Sequence, residues 1–183
     1  MRHYAWFTAL ANDDIASLEA LLAHDDLLEA RHPLRHTTAL MEATRLGRTA
    51  TVEWLLSRGA APAFFSGDPP TTPLHYALTC RRFVIANMLA TALEHCHPRD
   101  GRGATVLHKL CAASYDPPEQ ELLLGLAAMF LAKNCPIDAC DSDGATALHH
   151  CVLNDQLALA EYLLTHGAAA NACIAESGVT PLI

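Results

Sequence analysis

The sequence predicts an all-α array of stacked helix-turn-helix units with short projecting loops, and three observations carry that prediction. The strings TALMEA (Thr38 to Ala43), TPLHYA (Thr72 to Ala77), TVLHKL (Thr105 to Leu110), TALHHC (Thr146 to Cys151) and TPLI (Thr180 to Ile183) recur with leading threonines 34, 33, 41 and 34 residues apart. A second block keeps the same phase: LEALLAHD from Leu18, VEWLLSRGA from Val52, AMFLAKNC from Ala128 and AEYLLTHGA from Ala160. Gly59, Asn134 and Gly167 then stand at equivalent places after that block, where a left-handed residue closes a helix.

Each element follows from local chemistry. The leading Thr is placed to accept hydrogen bonds from the open amides of a first helix of about nine residues, two to three turns. After a turn, apolar residues at helical spacing, such as Val52, Leu55 and Leu56, define a second helix. One such pair cannot bury its own apolar face, so neighbours must stack into a continuous one-dimensional core. The long step of 41 residues reads as a loop insertion near 115–120, where Pro117 and Pro118 interrupt the helical pattern.

These residues resemble the ankyrin repeat, whose period is about 33 and whose signature contains T-P-L-H-x-A. TPLHYA at 72–77 matches every specified place, and 146–171 follows the family through both helices. The resemblance implies one ankyrin-repeat domain over 1–183, a solenoid of four to five repeats plus a partial one. Its expected units are a degenerate N-terminal cap at 3–30 that keeps only the second-helix pattern, then 34–66, 68–99, 100–139 with the insertion, 141–174, and a partial unit at 175–183. Because solenoids need polar outer faces on their end units, the acidic first unit is expected to cap the array and the face at 175–183 to fray.

Bulk properties exclude several classes. Acidic residues outnumber Lys plus Arg by 20 to 12, a field that repels phosphate backbones and argues against nucleic acid. No stretch approaches the roughly 18 uninterrupted apolar residues of a membrane helix. The apolar run Tyr4 to Ala11 is at the lower limit for a signal peptide and is followed at once by Asp13 and Asp14. Seven cysteines, at 80, 96, 111, 135, 140, 151 and 173, show no C-x-x-C pair and do not read as a disulfide framework. A reducing compartment, the cytoplasm, is expected, with delivery into another cell as an effector left open.

The conspicuous imidazoles and thiols are weighed against that repeat. His75, His108 and His149 occupy one repeat position. The resemblance implies a hydrogen-bonding role there with Thr72, Thr105 and Thr146, and helices packed 8–10 Å apart do not bring such histidines onto one metal. Cys151 stands where the family carries a small buried alanine, and His150 is expected at the surface. His108 with Cys111 supplies half a tetrahedral site. His95, Cys96 and His97, with Asp100 as a further ligand, form the alternative metal or thiol site; the bland reading is a solvated helix terminus. Cys135 and Cys140 read as unpaired thiols. No phosphate-cradle, nucleophile-elbow or H-E-x-x-H string is present, so no catalytic residue, cofactor or metal is assigned.

Carried over by register, the loop and groove positions that would hold a partner are Leu34, Arg35, Thr37, Arg45, Leu46, Phe64, Phe65, Asp68, Tyr76, Thr79, Cys80, Arg82, Arg102, Lys109, Ser142, Asp143, Leu153 and Asn154. Arg35, Arg45, Arg48, Arg81, Arg82, Arg99, Arg102 and Lys109 make a basic stripe in an acidic chain, weakened where pairs such as Arg99 and Asp100 form. The expected function is a non-enzymatic interaction module, a monomer that grips another protein or an acidic peptide with no nucleic acid and no membrane. The alternative is the targeting part of a larger effector or enzyme.

Overall fold

The computed structural model describes residues 2–22, 27–64, 70–95, 99–113, 115, 117–172, 174 and 180–181. Among them are ten α-helices, one short 3₁₀ helix, and one isolated β-bridge between Arg31 and Thr38. The chain divides into two compact units, Met1–Leu93 and Glu94–Ile183. The first contains α1 (Arg2–Asn12), α2 (Ile15–Leu22), α3 (Ala39–Leu46), α4 (Thr49–Ser57), α5 (Pro73–Thr79) and α6 (Phe83–Ala92). Here α1 packs on α2 and α3, α3 on α4 and α5, and α6 on α4 and α5. In the second, α7 (Val106–Ala112) packs on α8 (Gln120–Ala132) and α9 (Ala147–Leu153), and α10 (Leu157–Thr165) packs on α8 and α9.

Helix starts follow the threonines. Thr38 accepts from the Met41 amide and Thr72 from the His75 amide, while Thr105 and Thr146 form reciprocal caps with His108 and His149. The first helices then run seven or eight residues, shorter than expected. In α3, α5 and α9 the cause is a left-handed residue nine places after the leading Thr: Gly47, Arg81 and Asp155 have φ of 73, 55 and 53°, whereas α7 ends at an extended Ala113. The next amide reaches back in each case, Arg48 to Ala43 at 2.9 Å, Arg82 to Ala77 at 2.8 Å and Gln156 to Cys151 at 2.8 Å. Second helices close as expected: Gly59, Asn134 and Gly167 have φ of 92, 58 and 92°.

Asp155 holds a conformation that glycine adopts at no steric cost. Replacing Asp155 with Gly is expected to raise stability by about 0.5–1 kcal/mol, measured as a higher urea midpoint.

Two expectations are corrected. The N-terminal unit carries a complete first helix, not only a second-helix pattern. Asp13 has φ 58°, and Asp14 donates to the Ala9 carbonyl at 3.0 Å, reproducing the turn at Gly47 and Arg48. That register sets Tyr4 opposite Thr38, with Trp6 and Phe7 in the places of Leu40 and Met41. All four are buried. The insertion, likewise, is not wholly loop. After the 3₁₀ helix Pro117–Glu119, α8 extends to 13 residues, because QELLL contains only good helix formers.

Candidate functional site

The projecting loops of the second unit are built from one string used twice, DGRGAT (Asp100 to Thr105) and DSDGAT (Asp141 to Thr146). Asp100 Oδ1 accepts from the Arg102 and Ala104 amides at 2.9 and 3.0 Å, and Asp141 Oδ1 accepts from Asp143 and Ala145 at the same distances. The other oxygen of each is claimed by the outward residue of the following helix, Lys109 Nζ at 2.7 Å and His150 Nε2 at 2.8 Å. Burial alone raises both carboxyls; the bonds to Lys109 or His150 and to the turn amides outweigh it and hold Asp100 and Asp141 below the ordinary value. The loops touch: the Ser142 amide donates to the Arg102 carbonyl at 2.9 Å. A Cβ on Gly103, whose φ is +71°, would lie 3.3 Å from that amide.

In the first unit His32 does the work of the aspartate. Its Nδ1 accepts from the Leu34 and Arg35 amides at 3.2 and 3.3 Å, and its ring meets Phe7 edge-on at 4.8 Å. A further acid crosses between successive turns in each unit. Glu29 accepts from the Ala61 amide and Asp138 from the Ala169 amide, both at 2.8 Å. The signal that could have found the turn roles of Asp100 and Asp141 is the doubled D-x-x-G-A-T string, which the repeat alignment did not include; His32, Glu29 and Asp138 carry no string of their own.

The repeat-equivalent histidines bond to the threonines that precede them. His75, His108 and His149 meet their threonine hydroxyls through Nδ1 at 2.7, 2.8 and 2.9 Å. Because His108 Nδ1 also accepts from the Thr105 amide at 3.1 Å, the proton sits on Nε2, which donates to the Ala145 carbonyl at 3.0 Å. Burial is the main force pushing the His108 pKa down. His150 is half-buried rather than a free surface residue, stacked edge-on 5.6 Å from His108 and bound to Asp141.

Among the described residues no group of three or more His, Cys, Asp or Glu side chains is placed to hold a metal. Asp100 is committed to its loop and to Lys109. Both nitrogens of His108 are engaged, so it does not pair with Cys111 as a ligand. His95 is exposed, while Cys96 and His97 lie outside the described residues. Cys111, Cys135 and Cys151 are buried free thiols and Cys140 an exposed one. Burial raises the Cys111 thiol, and the adjacent Cys151 raises it further; Cys135 is also raised by burial.

Most of the basic stripe has intramolecular duties. Glu42, buried on α3, accepts from Thr37 at 2.7 Å, from Arg35 at 3.3 Å and from Arg45 through Nε and Nη2 at 3.1 and 3.0 Å. Thr37 is therefore buried rather than at a loop surface. Arg48 donates to the Ala11 carbonyl at 2.6 Å, and exposed Arg82 approaches the Arg45 carbonyl at 3.4 Å. Arg99 does not pair with Asp100; its guanidinium donates to the Gly103 and Cys140 carbonyls.

Phe64 is half-buried with the Arg31 guanidinium 5.5 Å over its ring. Phe65 and Asp68 lie outside the described residues. Tyr76 and Cys80 are half-buried, and burial raises both pKa values. Thr79 donates to the His75 carbonyl at 2.9 Å, and Asn154 to that of His150 at 2.8 Å. Arg102, Ser142, Asp143 and Leu153 are exposed, and Leu46 is half-buried.

Loops locked by their own backbones, on helix pairs capped by Thr and His, define a repeat scaffold. The chain belongs to the ankyrin-repeat family: a run of three ankyrin repeats matches residues 85–174, and a single repeat matches residues 35–64. Proteins of this family serve generally in protein-protein interaction and are typically non-catalytic. Comparison with curated proteins finds no match to the chain. Among the described residues no helix is long and apolar enough to cross a membrane.

Proposed function

We propose that the chain is a non-enzymatic recognition module that binds a partner protein or peptide through its loops and the outward positions of its first helices. One observation carries this reading. The Asp100 and Asp141 turns fix their backbones with four amide bonds while Arg102, Ser142 and Asp143 remain exposed at the tips. A loop ordered before binding loses little entropy on association. An acidic segment is the expected partner, because Arg102 at a loop tip and Arg82 at the turn before α6 are exposed and would steer it.

The test is capture from the native cell on the wild type beside Arg82→Glu/Arg102→Glu. Arg45 is left intact because reversing it would set a second carboxylate against buried Glu42. The partner captured by the wild type should associate with the double variant at least about tenfold more slowly at low salt, the gap narrowing as salt rises. Equal association rates at low salt would exclude both arginines as steering charges.

A further inference from the structure

A cleft of about 420 Å³ opens in the first unit between α1 and the loop that precedes α3. Tyr4, Phe7 and Ala11 line it from α1, His32, Leu34 and Arg35 from the loop, and Glu42, Arg45 and Leu46 from α3. Leu34 and Tyr4 are 85% and 78% exposed, the two most exposed large apolar side chains among the described residues. Neither supports the core, and both border a concave surface, the arrangement expected of a site that seats an apolar side chain.

The charges of the cleft define the rest of its occupant. Two guanidiniums share one buried carboxylate, so the group of Arg35, Glu42 and Arg45 carries one net positive charge. Glu42 Oε2 already receives three N–H groups, and Arg35 and Arg45, with side chains 49% and 32% exposed, keep further donors. One surplus positive charge with planar N–H donors matches a single carboxylate.

We propose that this cleft receives a segment of a partner protein in which an aromatic or aliphatic side chain stands beside an aspartate or glutamate. The apolar side chain lies between Tyr4 and Leu34, and the carboxylate is held by Arg35 and Arg45. The proposal rests on the interaction reading above and gives it one defined subsite, to which the α1 helix contributes.

The test is a selection of phage-displayed random linear dodecapeptides on the full chain, with depletion on Tyr4→Ser/Leu34→Ser. Both positions are exposed, and thermal melting followed by circular dichroism checks that the variant is folded. The enriched peptides should pair an aromatic or aliphatic residue with Asp or Glu within two positions. Synthetic versions should lose about tenfold or more in affinity on Arg35→Gln, or when the peptide acid is replaced by its amide. Failure to enrich, enriched peptides without an acid, or equal binding to the depleting variant would overturn the proposal. A concentration-dependent dimer abolished by Leu34→Ser would also overturn it, by making a second copy the occupant.

The two readings fail separately. A cellular partner indifferent to Tyr4→Ser/Leu34→Ser but lost on Arg82→Glu/Arg102→Glu removes the cleft and keeps the loop reading. A cellular partner indifferent to the arginine reversals, beside peptides that need Tyr4 and Leu34, does the opposite.

Discussion

Replacing Trp6 with Ala is expected to destabilise the first unit by about 4 kcal/mol, within the range for removing a fully buried aromatic side chain. Trp6 is 0% exposed on α1, its ring centroid 6.2 Å from that of Trp54 on α4. Trp54 in turn donates to Glu19 on α2 at 3.3 Å, and Arg58 bonds the same carboxylate at 2.7 Å. Truncation thus empties the place where α1, α2 and α4 meet. Trp6→Phe provides the contrast. The indole N–H of Trp6 is buried without a partner, so phenylalanine keeps most of the apolar contact and discards an unsatisfied donor. Its expected cost is under about 1.5 kcal/mol. Urea denaturation followed by circular dichroism measures both, and hydrogen exchange in α1 and α2 should accelerate sharply for the alanine variant. Equal midpoints for wild type and Trp6→Ala would show that α1 does not stabilise the unit.

The same residue shows where sequence reasoning reached its limit. Repeats at 38, 72, 105 and 146 were legible because Thr caps a helix through a hydroxyl no apolar residue can replace, and His completes the cap at Thr72, Thr105 and Thr146. The N-terminal unit uses neither: Tyr4, Trp6 and Phe7 stand where Thr38, Leu40 and Met41 stand, so only packing preserves the repeat. Asp13 at the left-handed turn was the remaining signal, and one aspartate is too common to be read alone. The insertion was assigned wholly to a loop, whereas α8 begins at Gln120, since two prolines mark where a helix cannot continue and not how early the next begins.

The candidate surface was less legible than the fold. Register placed Arg35, Arg45 and Lys109 at outward positions, but their partners depend on three-dimensional approach. Glu42 follows Arg35 by seven residues and precedes Arg45 by three, and only the folded turn brings both guanidiniums to it. Asp100 sits beside Arg99 in sequence yet pairs with Lys109, because the turn directs its free oxygen toward α7. A row of arginines in a sequence therefore overstates the charge available to a ligand.

His108 gives the second large effect, and its sign with pH can be worked out. His108→Leu leaves the Thr105 amide and the Ala145 carbonyl without their imidazole partner, at a combined cost of about 3 kcal/mol. His108→Gln should cost much less, since its amide oxygen can accept from the Thr105 amide as in a Thr-x-x-Gln capping box.

The native imidazole is neutral, with Nδ1 an acceptor and its pKa pushed below 6.5 chiefly by burial. A depressed folded pKa means that the unfolded chain binds the proton first as pH falls. The stability contributed by His108 is therefore complete above the unfolded value. It declines from about pH 6.5 downward and is lost as pH falls through the folded value. The stability gap between wild type and His108→Gln should accordingly narrow between pH 7 and about pH 5. The bonds that depress Asp100 and Asp141 act in a separate window, being complete above their unfolded value near 3.9 and lost only in stronger acid. Denaturation midpoints of both proteins across pH 5 to 8 decide the matter: a gap that widens on acidification would place the proton on Nδ1 and reverse the assignment of the buried cap.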